Sequence, residues 1–412
     1  MSKTIILGGG FAGLFTALHL LKHQYSQSIA LVDRKEYFVF NPLLYELMTG
    51  EMTPDEVCPT YPELFRGQQS IAFLQETVTG VDLKERQVYL ESGVHYKYEN
   101  LVLALGKPAG FFGVEGAQES AFPLKDREHA RRLSLHVRLC LEKAAQTDDV
   151  AERRALLTFA IVGGGPAGIE MAATLGDLLM SWYTKLEGDI QDIRILLINR
   201  PKELLKGDVN SRLRGTVQKA LSSRKIPTEL ILGASASKVT PTSLDYQQDG
   251  QTHSIPTRTV IWTAGTSPNP IIDALEITPE HKPRKGILSV LPTLQLPDYP
   301  EVFAAGDCAI LPDSPLPPTA QVAYQQGKAI ADNLQALAQD RPLKPARVSL
   351  RGTMMKLGIE TSVANIFDRR EVGGRPGHLI REATYLELMP TPVHNLKVTA
   401  DWIVDEIFHR HA

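Results

Sequence analysis

Two glycine clusters carry chemistry that this sequence can do. The first, Gly8-Gly9-Gly10-Phe11-Ala12-Gly13, follows the apolar run 4–7 and opens an apolar-periodic run over residues 14–21. At that spacing Gly8 permits a tight turn, Gly10 lets backbone N–H groups reach a pyrophosphate, and Gly13 lets a helix pack closely on a strand. The helix N-terminus adds a partial positive charge that favours an anion. The next strand pattern, 29–32, ends in Asp33, twenty residues past Gly13. A carboxylate there accepts a hydrogen bond from a ribose 2′-OH and repels a 2′-phosphate. The second cluster, Gly163-Gly164-Gly165-Pro166-Ala167-Gly168, follows the strand pattern 158–162 and places Gly163, Gly165 and Gly168 at the same spacing. Its following strand pattern, 195–198, ends in Asn199-Arg200. Asn199 cannot repel a 2′-phosphate and Arg200 can pair with one. A charge-assisted hydrogen bond of about 1.5–3 kcal/mol there would give a bias of roughly ten- to a hundredfold toward NADPH, whereas an Arg200 that is only a solvated loop residue gives none; the residues leave the choice between NADH and NADPH open.

The elements that must position these loops read as an α/β protein of two Rossmann-like dinucleotide-binding domains. Two fingerprints imply two dinucleotides, the arrangement required for two-electron traffic between a nicotinamide and a flavin. A third segment, Tyr299 to Ala309, reads as a buried strand ending in Gly306-Asp307, suited to presenting a carboxylate to a cofactor's polyol chain. Its distance from Asp33 in the chain makes the first domain discontinuous. The expected boundaries are 1–125 with 291–345 for the first, discontinuous nucleotide-binding domain, 126–290 for the second, and 346–412 for a C-terminal cap and helix. The proline-rich loop from Pro312 to Pro318 reads as a rigid lead into a helix starting near Ala320.

Composition bounds the function. The chain has 412 residues and a mass of 45.5 kDa, enough for two or three domains. A net charge of −3 provides no basic field for nucleic acid. Cys58, Cys140 and Cys308 lie far apart, which argues against a disulfide framework, a thiolate zinc site or a redox dithiol. The histidines make no His-Glu-x-x-His spacing, His409 and His411 read as a frayed end, and no Gly-x-Ser-x-Gly elbow occurs. No metal site is expected. No apolar run reaches about 18 residues, and a strand pattern begins at once, leaving no room for a leader. The expectation is a soluble or peripheral intracellular protein.

Several motifs together resemble a family. The paired fingerprints, Ala104-Leu105-Gly106, Trp262-Thr263-Ala264-Gly265-Thr266 and Ala305-Gly306-Asp307 look like a two-dinucleotide-binding-domain flavoprotein. Phe40-Asn41-Pro42-Leu43-Leu44-Tyr45-Glu46, the run Thr319 to Gly327 and Asp401-Trp402 narrow this to a resemblance to type II NAD(P)H:quinone oxidoreductases, closest to the cyanobacterial branch. The resemblance covers nearly the whole chain. It implies FAD in the first domain, held by Asp33 at the adenosine ribose and Asp307 at the ribityl chain, and NAD(P)H as substrate in the second. Glu170 matches a glutamate between nicotinamide and flavin, and Gln321, Tyr324 and Gln325 match the segment lining a quinone site. Gln321 and Gln325 would share one helical face and donate to quinone oxygens. Asn199 departs from the acid of NADH-preferring members. Sulfide:quinone reductases share the architecture but need a cysteine late in the chain, and none follows Cys308.

A lipid quinone requires a membrane surface. Leu396, Ala400, Ile403, Val404, Ile407 and Phe408 form one helical stripe. With the family resemblance it reads as a docking helix on the cytoplasmic face of a plasma or thylakoid membrane; read alone it suits core packing or a homodimer contact. Two other readings are a soluble NAD(P)H-dependent reductase of a ferredoxin- or rubredoxin-type protein, and an FAD- and NAD(P)H-binding redox sensor.

Overall fold

The computed structural model describes residues 4–206, 211–350, 352–359, 361–366, 370–391, 394 and 399. Its centre is a six-stranded sheet ordered Gln295–Leu296, Tyr299–Ala304, Asn100–Leu103, Thr4–Leu7, Ile29–Asp33, Ile71–Gln75. All neighbours run parallel except the Gln295–Leu296 edge. Thr4–Leu7 is buried along its whole length, as an unbroken apolar strand in the middle of a covered parallel sheet should be.

A second sheet, ordered Thr228–Leu232, Arg194–Asn199, Thr158–Val162, Thr259–Trp262, Phe122–Pro123, is parallel throughout. Its strands all lie between the two halves of the first sheet in the sequence. The chain therefore leaves the first sheet after Leu103 and re-enters it at Gln295. Each sheet carries a small antiparallel three-stranded companion, Val78–Asp82 with Gln87–Leu90 and His95–Lys97, and Ala234–Val239 with Ser243–Gln248 and Gln251–Pro256.

The helix Phe11–Lys22 packs on the helix Ala320–Leu337. A Cβ on Gly327 would strike the Ala12 carbonyl, and the Thr16 hydroxyl donates to the carbonyls of Ala12 at 2.8 Å and Gly327 at 3.2 Å. The late helix is thus locked beside the first glycine loop despite some 300 intervening residues.

Residues 346–394 show no regular pattern in sequence, yet they build an antiparallel sheet of Gly352–Lys356, Ser362–Ile366 and Arg370–Gly373, followed by the helix Gly374–Glu387. The strands are hard to read because Lys356, Ser362 and Asn365 are buried and break the apolar alternation. The stripe from Leu396 to Phe408 lies outside the described residues. Among those described, no helix is long and apolar enough to cross a membrane.

Candidate active site

Both glycine loops fold to one geometry. Gly8 and Gly163 have φ of +96° and +118°, the left-handed region that an L side chain resists. A Cβ on Gly13 would strike the carbonyl oxygen of Gly8, and one on Gly168 that of Gly163, so each helix sits directly on its strand. Around Gly10 and Gly165 the reverse holds: a Cβ would meet nothing within 4 Å. The third glycine of each loop borders open space at a helix N-terminus, a geometry that suits a pyrophosphate. Two such cradles fit two dinucleotides.

The strand-end residues brace these loops. Asp33 Oδ2 accepts from the Gly9 N–H at 2.6 Å and Oδ1 from the Lys35 N–H at 2.9 Å. Asn199 repeats the first contact, its Oδ1 accepting from the Gly164 N–H at 2.9 Å. Its Nδ2 donates to the carbonyls of Pro201 at 3.2 Å and Glu203 at 2.9 Å. The amide is buried and occupied, so Asn199 shapes the turn, whereas Arg200 beside it is exposed. Gly265 stands across the second cradle: the backbone N of its neighbour Ala264 comes within 2.8 Å of a Cβ on Gly163, and a Cβ on Gly265 itself would strike the exposed ring of Phe112.

At the end of the returning strand, the Gly306 N–H donates to Gln326 Oε1 at 2.8 Å. Gln326 is buried on the Ala320–Leu337 helix and fixes the turn that presents Asp307. Burial raises the Asp307 pKa, with Lys125 and Lys107 opposing. Sequence reasoning singled out Gln321 and Gln325 on this helix and passed over Gln326, because three neighbouring glutamines look alike until the helix is oriented.

The same orientation revises the reading of Gln325. Its Nε2 donates to the carbonyls of Gln321 and Ser349, both at 3.0 Å, and its Oε1 accepts from the Ser349 N–H at 2.9 Å. Gln321 Nε2 donates to the Gly352 carbonyl at 3.2 Å. The two amides do share a face, but it is turned to Ser349 and to Gly352 at the start of the strand Gly352–Lys356, and Gln325 is spent as a tether. Tyr324 packs edge-on against Phe15 at 4.6 Å between ring centroids, with His19 at 6.1 Å, in the seam between the two helices.

Glu170 lies in the first turns of the helix Pro166–Thr184 and is buried. Its Oε1 accepts from the Lys356 backbone N–H at 2.9 Å. Burial pushes its pKa up to about 7, against the attraction of Arg381 and Lys356. Around it lies an ionic cluster: Arg381 pairs with Glu46, and Lys356 Nζ reaches Glu51 at 2.7 Å and Glu46 at 3.2 Å. Burial opposes ionisation of Glu46, but Arg381 and Lys356 outweigh it and hold that carboxyl well below its usual range. Glu51, Lys356 and Arg381 went unremarked in sequence. The one signal was a lysine inside the apolar run Met354-Met355-Lys356-Leu357. All three cysteines are free and buried, and burial raises each thiol pKa.

Twin dinucleotide cradles, one per parallel sheet, with a buried carboxyl at the second cradle, define the class of two-dinucleotide-binding-domain oxidoreductases. Residues 2–327 match the family described as Pyridine nucleotide-disulphide oxidoreductase. The chain is 33% identical, over 97% of its length and 80% of the relative's, to the alternative NAD(P)H-ubiquinone oxidoreductase C1 of Arabidopsis thaliana. It is also 33% identical to the demethylphylloquinone reductase NdbB of Synechocystis sp., covering 97% of this chain and 95% of that one. The solved structure of NDH2 from Plasmodium falciparum in complex with NADH superposes with a TM-score of 0.85 at 19% identity, covering 98% of both chains. The chain belongs to the pyridine nucleotide-disulphide oxidoreductase family and, within it, to the type II NAD(P)H:quinone oxidoreductase branch; it is an enzyme.

Proposed function

We propose that this enzyme oxidises NAD(P)H, reduces a quinone at a membrane surface, and accepts NADPH. The observation that carries the reading is the repeated cradle, braced by Asp33 in one sheet and by Asn199 in the other, with buried Glu170 five residues past the open glycine of the second. The first cradle fits FAD, with Gly10 admitting the pyrophosphate on a loop shaped by the turn at Gly8 and the close packing at Gly13, Asp33 at the adenosine ribose and Asp307 at the ribityl chain. Bound there, FAD supplies the two-electron chemistry that links nicotinamide to quinone.

The chain's own residues supply position and protons. Gly165 receives the pyrophosphate of NAD(P)H on a loop held by the turn at Gly163 and the close packing at Gly168, and Gly265 borders the same cradle. Asn199 places no carboxylate where a 2′-phosphate would sit, and exposed Arg200 offers it a cation. Reduction of a quinone by NAD(P)H takes up one proton from solution. Glu170, whose pKa lies near neutrality, holds one in the buried centre. The N-terminus of the Ala320–Leu337 helix favours negative charge as it builds, and Gln321 stands in its first turn.

A bilayer is the partner we assign to the stripe from Leu396 to Phe408, through burial of its apolar face. A second copy of this chain is the competing occupant, and co-sedimentation with vesicles distinguishes them. Anaerobic stopped-flow absorbance tests the activity. NADPH or NADH should bleach the flavin band, and a short-chain quinone should restore it at a comparable rate. Bleaching without quinone-dependent recovery would leave the nucleotide sites standing and move the acceptor to a protein.

A further inference from the structure

Five ionisable side chains from three distant stretches of sequence meet in one buried place. Glu46 and Glu51 come from the segment around the helix Leu44–Thr49, Glu170 from the helix behind the second cradle, and Lys356 and Arg381 from the C-terminal sheet and helix. Lys356 and Arg381 are 0% and 1% exposed, a burial that isolated charges do not tolerate. Glu46 and Glu51 neutralise them one for one, so the cluster is balanced only when Glu170, the fifth member, is uncharged. Tyr45 and Tyr385 close the site, and burial raises the pKa of both, so neither contributes charge near neutrality. Among the described residues, Glu46 Oε2 and Arg381 Nε are buried with no hydrogen-bond partner.

We propose that Glu46 is a positioning residue for the reaction: by fixing Arg381 and sharing Lys356 with Glu51, it sets the charge around the Glu170 carboxyl. The inference rests on the reading of Glu170 as the proton-holding group. The links are short. Glu46 contacts both cations, and the backbone N–H of one of them, Lys356, holds the Glu170 carboxyl. Removing the charge of Glu46 leaves a net positive lattice that favours ionised Glu170, and removing Arg381 does the opposite.

The test is the pH dependence of quinone-dependent flavin reoxidation, followed by stopped flow on the reduced holoenzyme between pH 5 and about 9 with a short-chain quinone. Glu46→Gln should move the inflection down by about one pH unit or more, and Arg381→Met should move it up, the size expected for one charge added or removed beside a buried carboxyl. The double variant, which leaves no orphaned charge, should return it close to the wild-type position. Glu51→Gln, at the more accessible edge, should also move it down and serves if a single variant at the centre fails to fold. Singles that leave the inflection in place, or move it the same way, would overturn the proposal while Glu170→Gln still abolishes it. An inflection that survives Glu170→Gln would instead overturn the reading of Glu170, and the inference with it.

Discussion

Glu170 shows how one buried carboxyl links stability to pH. Its pKa rises from an ordinary 4.5 to about 7 on folding, so folding favours its protonated form. The stability this contributes is fully present below pH 4.5 and is lost as pH rises through 7. Glu170→Gln should therefore gain thermal stability relative to the wild type between pH 5 and 8, by an amount approaching ~3 kcal/mol at the upper end. Melting curves at the two pH values check it, and a constant difference would refute it. Glu46 has the opposite sign, since a depressed carboxyl loses its contribution only as the solution becomes strongly acidic. Glu46→Gln should cost about 3–5 kcal/mol at pH 7 by leaving Arg381 buried and unpaired, read from denaturant unfolding. Arg200→Glu should lower kcat/KM for NADPH relative to NADH by roughly ten- to a hundredfold, because a carboxylate repels the 2′-phosphate and an exposed arginine attracts it. An unchanged ratio would remove Arg200 from coenzyme choice.

Among the elements, the glycine loops yield a paired prediction. Gly10→Ala places its methyl in open space, so the protein should fold with an ordinary melting temperature yet purify with little flavin. Gly13→Ala drives a methyl into the Gly8 carbonyl, where backbone must shift, and should fail to give folded protein. Flavin absorbance per protein, together with circular dichroism, separates the two. The Ala320–Leu337 helix tells a different story. Its glutamine spacing was legible, but helical periodicity assigns residues to a common face without saying what the face meets. Gln321 meets Gly352, Gln325 meets Ser349, and Gln326 meets Gly306. Gln325→Ala should free the segment at Ser349, measured as faster hydrogen exchange there, with a stability loss of about 0.5–1.5 kcal/mol.

For the whole molecule, the decisive feature is that residues 46, 170, 356 and 381 are neighbours. The C-terminal sheet and helix are thereby built into the ionic cluster around Glu170, and truncation before Gly352 should expose Glu46 and Glu170 and, if the proposed role of Glu170 holds, abolish quinone turnover. Deletion of residues 395–412, beyond the lattice, should leave flavin reduction by NADPH intact while releasing the protein from vesicles in a flotation assay.

The sequence by itself determined the two parallel-sheet units, the return of the chain to the first, the tight turns at Gly8 and Gly163, and the close helix–strand packing at Gly13 and Gly168. Those features depend on local turn geometry and on strand and helix periodicity, both of which are written along the chain. It also showed that Asn199 carries no charge, but not that its amide is occupied in bracing Gly164. Only the tertiary structure decided which face of the glutamine helix is covered and that Lys356 and Arg381 are interior cations. Burial of a charge is tolerable only with its partners, and here those partners come from stretches hundreds of residues away, with no fixed spacing to announce them.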